Sequence, residues 1–341
     1  APAAPAAPVL TASGDSSLVI TWQAPADDGG SVITGYELAL SDGTVVRVGA
    51  STLRYVWSGL TPGGYSATLK AVNAVGESAG VDGAGQLVVV EPPRQYGQLT
   101  LSPDLTGNGL GDIVALTTAG TAHVHSVNTN GTIVATKTLA TDLTGHSVYG
   151  AGDWNGNGKA DILTVSASGA LYLRAGLGAG KVAAPVQIGR GWSGYQLVPS
   201  GDLDGDKVAD LLAIDSAGVL WLYAGNGQGA FKPGRTQVGK GWTSFTAFAA
   251  ADLNKDGKND LLGVGASGVL YAYLGKGNGQ FQAAVQVGKG WSGFSLAAGA
   301  DLTGDGLADI VGRNNTTGVT YLYRGKGGGA FQAASLLALN W

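Results

Sequence analysis

Cysteine and methionine are both missing from the 341 residues. Without cysteine there are no disulfide frameworks, thiolate metal sites or cysteine nucleophiles, so any stapling of the fold has to come from other chemistry. Without methionine, and with Ala1 first, the sequence reads as a processed mature protein or a piece of a longer one. Charge is also scarce: Asp, Glu, Lys and Arg make up 13%, and the net charge is −4. Nothing resembles a basic stripe able to displace counterions from phosphates, which excludes nucleic acid as a partner. No apolar run approaches the ~18 residues that span a bilayer, the nearest being Leu87 to Val90, so no membrane insertion is expected, and no charged-then-apolar leader is present. What is plentiful is glycine, 59 residues, beside an ordinary hydrophobic share of 44%. Many turns and few charges suit a globular chain of many short strands, and the length suits two or three domains.

Residues 1–8, Ala-Pro-Ala-Ala-Pro-Ala-Ala-Pro, have the composition of a semi-rigid extended linker or tail. From 9 to 90 short alternating runs, such as Leu18-Val19-Ile20-Thr21-Trp22 and Tyr36-Glu37-Leu38-Ala39-Leu40, are separated by Gly, Asp and Pro clusters. That pattern predicts an antiparallel sandwich. Trp22, Pro25, Gly35-Tyr36 and Leu60-Thr61-Pro62-Gly63-Gly64-Tyr65 make this segment resemble a fibronectin type III domain. The resemblance implies a core tryptophan and a corner tyrosine, both structural, and the role of a spacer. A hinge is expected at 91–94.

Beyond the hinge the sequence is periodic. A nine-residue motif recurs at Asp104–Asp112, Asp153–Asp161, Asp202–Asp210, Asp252–Asp260 and Asp301–Asp309, with steps of 49, 49, 50 and 49 residues. Four short strands per ~50-residue repeat is the arithmetic of a propeller blade. The fold class is therefore all-β, a sandwich followed by five blades over 95–341. A tryptophan stands ten residues before the motif at Trp192, Trp242 and Trp291, whereas the first blade has Arg94 there. Trp341, ten residues after Phe331 as Trp291 is after Phe281, offers the missing tryptophan and closes the ring.

The motif carries oxygen ligands at positions one, three, five and nine, with a glycine near six and a backbone carbonyl at seven. Such a loop converges on a hard cation that takes 6–8 oxygens at ~2.3–2.6 Å. The proposed sets are Asp104, Thr106, Asn108, Leu110 and Asp112; Asp153, Asn155, Asn157, Lys159 and Asp161; Asp202, Asp204, Asp206, Val208 and Asp210; Asp252, Asn254, Asp256, Lys258 and Asp260; Asp301, Thr303, Asp305, Leu307 and Asp309. Fourteen of the 24 acidic residues lie in these loops, where without a cation they would repel one another. Up to five Ca²⁺ are expected, with loops three, four and five binding more tightly than one and two by ligand charge. Asn/Asp/Gly turns without metal are the bland alternative, and the in-register recurrence weighs against it. Lys207 at the usual glycine position puts the turn of loop three in question.

The 49-residue unit resembles the FG-GAP or VCBS repeat of integrin α subunits and of secreted bacterial proteins, with Tyr195, Phe245 and Phe294 where that family opens a blade. The resemblance implies structural calcium on one rim and ligand binding by other loops; it departs in having five repeats where integrins have seven. Trp192, Trp242, Trp291 and Trp341 can stack on sugar rings, although one place in successive blades suits wedge packing better. His123 and His125 share a strand face, with His146 near in sequence, but lack a third metal ligand. The Gly-rich stretches 225–229, 275–279 and 325–329 are hairpin turns, since no helix follows to hold an anion.

No nucleophile-elbow motif occurs, so the chain is read as a secreted, non-enzymatic calcium-binding module for a polysaccharide, cell-wall or extracellular protein ligand. The alternative is the C-terminal targeting module of a secreted protease, muramidase or glycosidase with its catalytic domain upstream.

Overall fold

A computed structural model describes residues 1–13, 17–57, 60, 63–83, 87–89 and 96–339, so the hinge at 91–94, Arg94 and Trp341 lie outside the described residues. The chain divides into two compact units, 1–94 and 95–341.

In the first unit, Ser17–Thr21 pairs with Val9–Ser13 and Arg54–Trp57, while Ile33–Leu40 pairs with Val45–Gly49 and Ala67–Asn73. Burial alternates strictly along Ala67–Asn73, as it must when one sheet face meets a core and the other meets water. Leu18, Ile20, Leu38 and Leu69 are fully buried, and Trp22 stands edge-on to Tyr36 with ring centres 5.5 Å apart. Residues 1–8 do not stand free as a linker. Pro2, Pro5 and Pro8 are buried while the alanines between them are exposed, and the Ala3 N–H donates to the Asp27 carbonyl at 3.0 Å. A polyproline II turn of three residues puts every third side chain on one side, which is where the prolines fall.

The second unit is five four-stranded antiparallel sheets, each pairing its strands in chain order, with a two-stranded hairpin interposed before the last strand of the second and fifth. Their inner strands are Tyr96–Ser102, Ser147–Ala151, Gln196–Gly201, Phe245–Ala251 and Phe294–Ala300. Each inner strand lies beside the next, and the fifth lies beside the first. The ring thus closes without strand exchange. The Gly111 N–H donates to the Asp301 carbonyl at 2.6 Å, and Leu302, Val311 and Leu337 pack with Tyr96, Leu99 and Leu101. The second strand of each blade follows the motif directly. It reads as a continuous apolar run because neighbouring blades cover both its faces, and all five residues of Asp210–Ile214 are buried.

Three joints between blades share an aromatic wedge. Trp192, Trp242 and Trp291 donate their backbone N–H to the hairpin glycines Gly169, Gly218 and Gly268, each at 3.0 Å. Their indoles meet Tyr223, Tyr273 and Tyr323 of the following blade at 4.7, 5.0 and 4.8 Å between ring centres. A Cβ at Gly189, Gly239 or Gly288 would stand 2.4, 2.9 or 2.7 Å from the indole Nε1, so the wedge requires glycine there.

Candidate metal centre

The five motif loops join inner to second strands and share one rim of the ring. Position one organises each loop. The carboxylates of Asp104, Asp153, Asp202, Asp252 and Asp301 accept the backbone N–H groups of positions four and six at 2.6–2.8 Å in all five loops. Both positions take left-handed backbone, which explains the glycines there. Lys207 adopts it with φ 69° at position six and Lys255 with φ 64° at position four. The lysine in loop three therefore leaves the turn intact, at a strain of about 1–2 kcal/mol.

Position five closes the turn by accepting the N–H of position seven at 2.8–3.0 Å: Asn108 from Leu110, Asn157 from Lys159, Asp206 from Val208, Asp256 from Lys258 and Asp305 from Leu307. In loops one and two the Asn108 and Asn157 amides also donate to the Val127 and Gly176 carbonyls, each at 3.1 Å.

Position nine lies beneath. Asp112, Asp161, Asp210, Asp260 and Asp309 have no solvent exposure, and each accepts the N–H of position two at 2.7–3.0 Å. The last four also accept a hairpin glycine N–H, from Gly176, Gly225, Gly275 and Gly325, at 2.6–2.9 Å. In loop one the Thr106 hydroxyl takes that place at 2.9 Å. Burial raises the pKa of all five carboxyls, with nearby carboxylates adding to it, and lifts Asp210 and Asp309 to about 6. The backbone donors oppose this shift without cancelling it. A cation above the loop would supply positive charge to offset these carboxylates.

The donor set suits a hard cation, and two observations test the fit. In loop three, Asp202, Asp204 and Asp210 bring one carboxylate oxygen each within 4.8 Å of one another. In loop five the Thr303 hydroxyl is buried with no hydrogen-bond partner, an oxygen available to a metal at position three. The fourth carboxylate of loop three is already engaged: Lys232 pairs with Asp206, whose pKa it lowers, and stands 3.9 Å from Asp204. Lys255 of loop four donates to the Asp305 carbonyl of loop five at 2.7 Å.

Position two escaped the sequence reading, although its signal was there in all five motifs. Leu105, Trp154, Leu203, Leu253 and Leu302 are each no more than 3% exposed and anchor the loops in the core. The next blade pins three of them, as Gly180, Gly229 and Gly279 donate to the Leu105, Trp154 and Leu203 carbonyls at 2.9, 2.9 and 2.7 Å.

Four overlapping spans, 104–164, 153–213, 202–263 and 252–312, match the FG-GAP-like repeat, and each starts at the first aspartate of a loop. The chain belongs to the FG-GAP-like repeat family. Residues 3–82 match the fibronectin type III domain. Among solved structures, the FG-GAP-like chain is similar to the BP39L lectin from Burkholderia pseudomallei at 14% identity, covering 98% of this chain and 99% of that one with a TM-score of 0.45. It is also similar to AofleA from Arthrobotrys oligospora at 12% identity, over 98% and 87% with a TM-score of 0.42. A human FNIII domain is 27% identical over 27% of this chain and 82% of that one, with a TM-score of 0.21.

The weaker constellations have structural surroundings. Trp192 and Trp242 are buried and Trp291 half-buried in the wedges described above. His125 is buried, shares a hydrogen bond with Thr136 and meets the Tyr96 ring edge-on, and burial takes its pKa down to about 4. His146 lies instead beside Tyr172 of the second blade.

Proposed function

We propose that this FG-GAP-like chain is a non-catalytic extracellular binding module, whose propeller is rigidified by Ca²⁺ in up to five rim loops and presents its remaining surfaces to a polysaccharide, cell-wall or protein ligand. The observation that carries the reading is the fivefold recurrence of one cradle, oxygen-rich above and with a fully buried carboxylate beneath. When bound, calcium supplies charge compensation and ties positions one, three, five and nine together. The chain's own residues do the rest: position one folds the loop, position two anchors it, and position nine locks it to the hairpin behind.

Because the native loops bind calcium and the unfolded chain has no such geometry, the cation's binding free energy becomes folding free energy. Glycan-array and cell-wall pull-down binding, with calcium and with EDTA, tests the whole reading. Calcium-dependent capture supports it. Hydrolysis of a polysaccharide or peptide panel by the purified chain contradicts it.

A further inference from the structure

The joint between the first and second blades lacks the wedge. Gly97 occupies the position, seven residues before the motif, held by Tyr195, Phe245 and Phe294 in later blades; His146 holds it in the second blade. Leu143 stands where Trp192, Trp242 and Trp291 stand, and its N–H donates to Gly120 just as theirs donate to the matching hairpin glycines. Three residues before it, Ala140 replaces the glycine that an indole demands. A cavity of about 270 Å³ results, lined by Gly97, Leu116, Thr117, Thr118, Leu143 and His146. It lies at the strand ends remote from the acidic loops.

The joint is nonetheless held firmly. The Gln98 amide donates to the Val148 carbonyl at 2.7 Å and accepts the Val148 N–H at 2.9 Å, and Thr100 accepts the Gly150 N–H at 3.2 Å. These side chains bridge the two inner strands as a ladder would, so the blades keep their spacing without a ring between them.

We infer that this cavity is a binding site for a single pyranose ring, the terminal residue of a glycan. The inference deepens the binding-module reading and rests on it. The volume is near the ~300 Å³ lower end of ligand pockets, which admits one ring and excludes an oligomer or a helix. Buried Leu116 and Leu143 form the floor, and the half-buried Thr117 and exposed Thr118 stand at the rim. His146 Nδ1 donates to the Thr144 carbonyl at 3.2 Å, which leaves Nε2 an acceptor. An apolar floor beneath a hydroxyl and imidazole rim matches a ring with one apolar face and polar edges. No Phe, Tyr or Trp lines the cavity, so His146 is its one ring.

The test is titration of the isotope-labelled full chain with methyl glycosides of glucose, galactose, mannose and N-acetylglucosamine, and separately with tryptophanamide, read by amide chemical shifts. At least one glycoside is expected to give saturable shifts at Gly97, Gly120 and Gly145. Gly97→Phe should abolish them while preserving the fold, since a Cβ at Gly97 meets nothing closer than Thr118 Cγ2 at 3.5 Å. The double variant Ala140→Gly with Leu143→Trp fills the same space independently. Shifts with tryptophanamide alone, or with none of the probes, overturn the inference. Glycan-array binding that survives both fillings overturns it too, while leaving the binding-module reading standing.

Discussion

Asp210 shows how much a single motif residue does. Its buried carboxylate accepts the Leu203 and Gly225 N–H groups at 2.9 Å each, so Asp210→Ala strands two buried donors. We expect a loss of about 2–4 kcal/mol in denaturant unfolding even with EDTA present, because the cost is hydrogen bonds before it is metal. Asp204 carries no such duty in the bare fold: it accepts the Asp206 N–H at 3.2 Å and stands 3.9 Å from the Lys232 ammonium, both at the surface. Asp204→Ala should therefore be nearly silent in EDTA and destabilising only in calcium. At the same loop, Lys232 competes for the carboxylates that a cation would use. Lys232→Met is expected to raise calcium affinity at loop three several-fold, as read by terbium luminescence or calorimetry; unchanged affinity would show that the lysine does not compete.

At the scale of elements, the periodic motif made the blades legible. Strand ends, hairpins and buried second strands all follow from where the aspartates and glycines recur. The sandwich was legible for a related reason, since Ala67–Asn73 alternates as a half-buried strand should. What the sequence hid was cross-chain geometry. Two left-handed positions per loop become visible only once the backbone is built, and Lys207 and Lys255 disguise one each. Pro2, Pro5 and Pro8 look like a linker by composition, and only their shared face reveals that they pack. The first joint was obscured because a missing tryptophan leaves no motif to find. The wedges themselves predict that Gly239→Ala, whose Cβ would sit 2.9 Å from the Trp242 indole, destabilises by about 1–3 kcal/mol in thermal unfolding. Ala140 tolerates its Cβ because Leu143 is smaller, and Ala140→Gly should cost no more than about 1 kcal/mol.

For the whole molecule, the buried carboxyls set the response to pH. Without calcium, Asp210 and Asp309 titrate near 6 in the fold and near 3.8 when exposed, and Asp112, Asp161 and Asp260 shift the same way. The native state thus holds protons that the unfolded chain releases, so stability rises as pH falls from about 7 to 4. His125, near 4 in the fold against 6.5 outside, works in the opposite direction over the same window. Asp210 and Asp309 are each worth about 3 kcal/mol at most, and with three further carboxyls acting in the same direction they outweigh one imidazole. With calcium bound the sign is expected to reverse, because acid would displace a cation that holds the carboxylates ionised. Guanidinium unfolding at pH 7 and pH 5, in EDTA and in calcium, should give slopes of opposite sign.

Calcium in the rim loops is the claim on which the rest depends, and calorimetric titration of the decalcified full chain with Ca²⁺, paired with thermal melts of the same samples, tests it most directly. The account predicts saturable binding at up to five sites and a melting temperature that climbs with each increment of calcium, by about 2.7 kcal/mol of stability per site at a hundredfold excess over its dissociation constant. Absence of binding heat together with identical melts in calcium and EDTA would contradict it.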